Sequence, residues 1–224
     1  MQFDTSSPLA VQFHDLISAS DFPCVGAKSA LAKGQLNILV ARDLRSNWDD
    51  KRIYEGISEI VTRYRAEKTL FQSFAVIFEG PTNLTEREFE RYLWKRAESL
   101  TNKDVWLGRS PDCRVSTNPD DPHFSLSFEE EAFFIVGMHP NASRPARRFV
   151  CPVLVFNIHD QFEQLRELGS YEKMREVIIQ RDTATAGAPN PMLARHGDAS
   201  EARQYSGRAV SDDWKCPFRP VERA

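Results

Sequence analysis

The sequence predicts a single α+β domain, residues 1–224, with a mixed, mainly antiparallel sheet flanked by helices. Helix and strand patterns are interspersed, and two strand patterns follow one another directly between residues 124 and 138, which favours this class over a doubly wound parallel sheet. Neither G-x-G-x-x-G nor G-x-x-x-x-G-K-[ST] occurs. With 224 residues, 41% of them hydrophobic, the chain is long enough for one large core.

The first half of the chain alternates helix and strand patterns. Ser46 and Asp49 are placed to cap the second helix, and Thr85 with Glu88 matches a capping box at the start of the third. The predicted helices cover 9–17, 48–68 and the residues after Thr85, and the predicted strands cover 35–41 and 73–79.

The second half begins with a polar loop and continues with three strand patterns. The loop, 108–123, is rich in Pro, Asp, Ser and Asn, and Glu129-Glu130-Glu131 is typical of a hairpin turn. Strands are predicted over 124–128, 132–138 and 153–157, and helices over 160–167 and 171–181, the last with Ser170 as its N-cap.

Residues 183–224 have no convincing period but contain Trp, Tyr, Met and Phe, which disordered tails rarely combine. We therefore expect a long, ordered, loop-rich C-terminal wrap packed on the domain.

Composition and charge exclude several classes of function. A net charge of −3 and a pI near 6.0 provide no basic field for nucleic acid. No apolar run approaches the length of a membrane span, and residues 1–5 lack the pattern of a secretory signal. The four cysteines are scattered, with no C-x-x-C pair. We expect a reduced, cytoplasmic protein that binds neither nucleic acid nor membrane.

His139 is the leading candidate for chemistry. It follows the buried strand Phe133-Phe134-Ile135-Val136, after Gly137, and three arginines come within nine residues. A strand that delivers an imidazole to a rim beside cations could present it to a metal or to an acidic ligand, although a structural histidine remains the alternative.

His159 is the second candidate, at a predicted strand-to-helix junction. If the two strands are neighbours, the rings of His139 and His159 could share one rim, one binding a metal and the other handling protons. His14, His123 and His196 have weaker cases.

Two cysteines could also act as ligands or nucleophiles. Cys216 precedes Pro217, a setting known at heme-thiolate sites, and Cys24 precedes a predicted helix, whose N-terminus should lower the thiol pKa. The alternative for each is a small buried apolar group.

The arginines after His139 could bind a carboxylate. Arg144, Arg147 and Arg148 offer bidentate forks to an acidic ligand, although the sequence by itself favours a solvated basic turn. The acidic run Glu129–Glu131 would suit a guanidinium substrate instead.

In combination these segments resemble the YqcI/YcgG family of bacterial proteins over about residues 20–218. The segments that carry the resemblance are Asp21-Phe22-Pro23-Cys24, Phe133 to Phe149, Val155 to Arg166, Asn190-Pro191-Met192-Leu193, Glu201 to Arg208 and Trp214-Lys215-Cys216-Pro217-Phe218. Singly, none of these motifs is specific. The chain departs from the family at Glu129-Glu130-Glu131 and at Val150-Cys151, which bears on the identity of the substrate.

The resemblance implies a heme-dependent N-hydroxylase that acts on arginine or an arginine-derived metabolite. It implies heme b as the iron cofactor, dioxygen or peroxide, an electron donor, a guanidine or amine substrate, and a homodimer as one possible state. The roles expected under this resemblance are assigned as follows: His139 as metal ligand, Cys216 or His159 as rival ligands, Arg144, Arg147 and Arg148 near the propionates, His159 in proton delivery, and Tyr205 and Arg208 in substrate binding.

Two alternatives use the same residues. One is a non-catalytic heme-binding or sensor protein, which would need no substrate pocket. The other is a non-heme iron site formed by His139, His159 and a carboxylate.

Overall fold

A five-stranded mixed sheet organises the chain. This computed structural model describes residues 3–195 and 197–221. The strands are β1 (Leu36–Asp43), β2 (Ser73–Gly80), β3 (Leu126–Phe128), β4 (Glu131–Met138) and β5 (Val153–Ile158). Their order is β1-β2-β5-β4-β3, with β1 and β2 parallel and every other neighbouring pair antiparallel. The prediction of an α+β domain with a mainly antiparallel sheet is confirmed.

Seven α-helices and one 3-10 turn surround the sheet in the described part of the chain. The α-helices are α1 (Pro8–Ser18), α2 (Val25–Ala32), α3 (Asp50–Ala66), α4 (Glu86–Trp106), α5 (Asp160–Glu167), α6 (Tyr171–Ala186) and α7 (Ala202–Tyr205), and the 3-10 turn covers Pro145–Arg147. The helix α3 connects the parallel pair β1 and β2, as a parallel connection requires.

The two faces of the sheet carry separate cores. One core packs α3 and α4 against residues such as Phe74, Phe133 and Phe156. The other packs α1 and α2 against alternate strand residues, among them Ile38 and Val153. Because side chains alternate along a strand, neighbouring residues of β4 and β5 belong to opposite faces.

The acidic run predicted as a turn joins β3 and β4. Glu129 and Glu130 have φ of 51° and 62°, and Phe128 pairs with Glu131, so the hairpin loop has two residues in the left-handed region. The β3 strand is short, and it pairs only with residues 131–133 of β4.

Helix capping follows the sequence in one of three cases. The Thr85–Glu88 capping box is present at α4. Asp49 precedes α3 but does not cap it, because its carboxylate accepts hydrogen bonds from Arg42 instead. Ser46 does not cap α3 either, because it accepts from the backbone amide of Trp48, two residues on. Ser170 occupies the N-cap position of α6, as predicted, but its side chain makes no capping bond.

The described part of the C-terminal segment packs on the domain, as expected, but the segment starts later than predicted. The helix α6 continues to Ala186, so the segment without regular structure begins at Gly187, whose φ of 77° ends the helix. Tyr205, Cys216 and Phe218 from this segment are buried in the core beside α4. His196 lies outside the described residues.

None of the helices in the described ranges is long and apolar enough to cross a membrane.

Candidate functional site

A cavity of about 310 Å³ lies on one face of the sheet, under α1, α2, α5 and α6. Volumes of this size are at the lower end of the range for small-molecule sites. Its floor consists of alternate residues of β4 and β5: Phe134, Val136, Met138, Val155 and Asn157.

The burial pattern of β4 marks the cavity. Phe133 and Ile135 are fully packed on the opposite face, whereas Phe134 and Val136 are only partly buried although the strand is apolar throughout. Apolar side chains that stay partly exposed at the centre of a sheet line a space that the protein does not fill.

One wall of the cavity holds a buried imidazole–carboxylate pair. His159 continues the alternation of Val155 and Asn157 at the end of β5, and its Nε2 lies 3.1 Å from Oε1 of Glu201. The two residues are 6% and 4% exposed. A carboxylate only accepts hydrogen bonds, so Glu201 selects the state of His159 in which Nε2 carries a proton.

Two hydroxyl groups hold the far side of this carboxylate. Ser125 donates to Oε2 of Glu201 at 2.5 Å, and the hydroxyl of Tyr205 lies 3.3 Å from the same oxygen. Burial, followed by the charge of Glu201, raises the pKa of Tyr205. The carboxylate is therefore fixed from both sides, and it fixes the imidazole in turn.

A second wall carries arginines, two of which the sequence placed after His139. Arg144 forms an ion pair with Asp182 at 2.5 Å. Arg147 donates to the carbonyl oxygens of Gly137 at 3.0 Å and of Gln204 at 3.3 Å. Burial lowers the pKa of Arg147 to about 10.

Cys24 also lines the cavity, at the N-cap of α2, where its sulfur accepts from the backbone amide of Ala27 at 3.4 Å. The sequence predicted a lowered thiol pKa. That prediction was wrong, because burial raises the pKa more than the backbone amides and Arg147 lower it.

The structure separates the two leading histidines. The strands β4 and β5 are neighbours, but they are antiparallel, so they run in opposite directions and their C-terminal ends are a strand length apart. The amide of His159 bonds to the carbonyl of Ala132, seven residues before His139, which corresponds to roughly 24 Å along the strand. The prediction of a shared rim was wrong, and this separation rules out one iron site built from both imidazoles.

His139 is packed in the core of the other face. It is 1% exposed, its ring stacks on Phe89 at 4.4 Å, and it does not line the cavity. Burial, opposed by the charge of Glu86, lowers its pKa, so the neutral ring is favoured. This environment is that of a structural histidine.

Four more predicted site residues lie away from the cavity wall. Cys216 is buried in the α4-side core, where burial raises its pKa to about 12, so it holds its proton as a thiol. Cys216 is therefore on the face of the sheet opposite to Cys24, which lines the cavity and packs against the other core. Arg208 pairs with Glu90 of α4, and the exposed Arg148 donates to loop carbonyls.

Tyr205 is the fourth of these residues, and it reaches the cavity only through others. It is fully buried, its ring contacts that of Phe134 edge-on at 5.5 Å, and its hydroxyl lies near Glu201.

The acidic run at the hairpin is not part of the cavity. Glu129 pairs with Arg109, and Glu131 pairs with Arg65 and Arg114. Among the described residues, no three His, Cys, Asp or Glu side chains are grouped closely enough to hold a metal ion by themselves.

The sequence patterns assign no role to several polar residues of the wall, among them Glu201, Asp182 and Arg175. Glu201 begins the segment Glu201 to Arg208 that carries the family resemblance, and its position four residues before Tyr205 is the signal that the sequence offers. Asp182 and Arg175 belong to α6, whose sequence shows no clear polar and apolar faces, so nothing in it separates wall residues from solvated ones.

Comparison with known proteins gives one result. No curated protein and no solved structure matches the chain significantly. The model of the YqcI/YcgG family matches residues 13–219, which include every residue of the cavity wall, and the chain therefore belongs to the YqcI/YcgG family.

Proposed function

We propose that the chain is a heme-dependent oxygenase that hydroxylates a nitrogen of a guanidine or amine substrate, such as arginine or an arginine-derived metabolite. The observation that carries this proposal is the apolar cavity with the imidazole of His159 on its wall. An apolar slot, an imidazole and nearby cations are the groups that a heme pocket needs. Heme b, when bound, would supply the iron at which dioxygen or peroxide is activated with electrons from a donor.

His159 is the iron ligand in this proposal, in place of His139. Of the three ligand candidates from the sequence, His139 and Cys216 lie in the opposite core, and His159 lines the cavity. Histidines that bind metals commonly donate their other ring N–H to a carboxylate, and Glu201 is placed for that role.

The substrate would bind through acceptors on the same walls. A guanidine presents several N–H donors, and the described wall offers two carboxylates, Glu201 and Asp182, with the side-chain amides of Gln161 and Gln204. Asp182 already holds the guanidinium of Arg144 at 2.5 Å and Glu201 holds His159, so a bound guanidine would share these carboxylates with their present partners.

A hemin titration followed by visible spectroscopy tests the proposal. We expect the wild type to develop a Soret band that His159→Ala loses and that His139→Ala and Cys216→Ala, the matched controls, retain. Loss of the band in Cys24→Ala instead would assign the iron to the thiol, and the absence of a band in the wild type would refute heme binding.

Turnover separates the enzyme from a heme-binding sensor. We expect the reduced, heme-loaded protein to add one oxygen atom to arginine or a related guanidine, detected by mass spectrometry. A protein that binds heme but oxidises none of these substrates fits the sensor. A variant His159→Ala that keeps the band but loses turnover would give His159 the proton-delivery role.

A further inference from the structure

The cavity wall carries more positive than negative side chains. Four arginines face two carboxylates on the described wall: Arg144, Arg147, Arg166 and Arg175 against Asp182 and Glu201. The rest of the lining is mainly apolar, so water does little to screen these charges.

Two of the arginines are neutralised within the protein. Arg144 pairs with Asp182 at 2.5 Å, and Arg166 pairs with Glu163 and stacks over Tyr171. The second wall carboxylate, Glu201, holds His159.

Arg147 and Arg175 form no ion pair with a carboxylate among residues 3–195 and 197–221, although the charges of Asp182 and Glu172 act on them from further away. Arg147 donates only to backbone carbonyls, those of Gly137, Gln204 and Tyr205. Arg175 reaches one carbonyl at 3.5 Å, and its buried Nε has no partner. A guanidinium withdrawn from water without a counter-anion is unfavourable, and the lowered pKa of Arg147 expresses that cost.

We propose that Arg147 and Arg175 form a binding site for the carboxylate of a ligand whose body is apolar. The carbonyls that hold Arg147 orient it without cancelling its charge, which leaves the guanidinium able to receive an anion. Apolar side chains of the same cavity lining, among them Val136, Met138 and Ile178, would contact the body of the ligand. The inference does not require that the cavity bind heme.

The carboxylate could come from two sources, a heme propionate or the acid group of a free substrate. Both present the same chemistry to a guanidinium. The experiment therefore uses simple carboxylate probes first and porphyrins second.

The first measurement is calorimetric titration of the heme-free protein with decanoate and with the uncharged 1-decanol. We expect decanoate to bind about tenfold or more tightly than decanol, because a charge-assisted hydrogen bond is gained. The preference should disappear in Arg147→Met and shrink in Arg175→Met. It should persist in Arg148→Met, an exposed arginine next in the chain that does not line the cavity.

Equal binding of decanoate and decanol by the wild type would overturn the inference, as would a preference that survives in both Arg147→Met and Arg175→Met. If Arg147→Met does not fold, the wild-type comparison and Arg175→Met still decide. If the wild type prefers decanoate over decanol but develops no Soret band in the hemin titration, the proposed function is refuted and this inference stands.

The second measurement compares hemin with its dimethyl ester, which lacks both propionate charges. If the wild type binds the ester more weakly than hemin, and Arg147→Met binds the two equally, the propionates are the source of the carboxylate. Equal binding of the two, together with the decanoate preference, assigns the site to a substrate acid. Either result supports a carboxylate site at these arginines.

Discussion

Replacing Gly137 with alanine tests how closely β4, α4 and α7 pack together. A Cβ at this position would lie 2.7 Å from Cε1 of Phe89, 2.9 Å from Cδ1 of Leu93 and 2.8 Å from the backbone oxygen of Tyr205. Contacts under 3.0 Å require a neighbour to move. Phe89 is held by its stack on His139, and the oxygen belongs to the backbone, so neither can rotate away.

Over-packing of a core costs about 1–3 kcal/mol, and the backbone contact places Gly137→Ala in the upper half, about 2–3 kcal/mol. For a domain of this size the loss corresponds to a decrease in melting temperature of about 4–12 °C. Urea unfolding gives the free energy directly. The same shift would move the carbonyls of Gly137 and Tyr205 that hold Arg147, so decanoate should also bind more weakly.

Gly80→Ala is the matched control for this prediction. Gly80 is also a strand glycine, and a Cβ there would meet nothing within 4 Å, so we expect a change within about 0.5 kcal/mol. A free energy of unfolding for Gly137→Ala that equals that of Gly80→Ala would refute the packing described for β4.

Two further predictions concern buried charge. Because the pKa of His139 is lowered in the folded protein, the unfolded chain takes up a proton at this ring near pH 6.5, before the folded protein does. The free energy of unfolding is therefore highest above that pH and decreases as the pH falls towards the folded-state pKa. Urea midpoints of the wild type and His139→Phe should therefore diverge from pH 7 to pH 5, the wild type losing more, and parallel curves would contradict a neutral buried ring. Arg96→Met should cost about 3–5 kcal/mol in the same assay, because it strands the buried carboxylate of Asp50, and a loss below about 1 kcal/mol would show that Asp50 is not charged there.

Much of the fold follows from local patterns. The strands and the capping box of α4 depend on neighbouring residues, so periodicity is enough to place them. The capping bond expected from Asp49 fails because Arg42, from the preceding strand, takes its carboxylate, and Ser46 bonds to the amide of Trp48 instead.

The sequence does contain the information that separates His139 from His159. The connection between β4 and β5 contains no helix long enough for a crossover, which indicates an antiparallel pair with its C-terminal ends apart. The alternation of side chains also separates them, since His139 is in phase with Phe133 and Ile135, on the face away from the cavity.

The cavity itself could not be predicted. Its walls come from segments far apart in sequence, from Phe13 to Gln204, and whether they meet or leave a space depends on how whole helices pack. The pairing of Glu201 with His159 joins residues 42 apart, and no local pattern specifies it.

The short β3 strand has a consequence for solubility. It pairs only with residues 131–133, so the rest of this side of β4 would present an open sheet edge to other chains. The helix α7 contacts β4, and Arg147 donates a hydrogen bond to the backbone carbonyl of Gly137. The helix α7 thus covers part of this edge, and we expect a chain cut before α7 to associate more readily through β4.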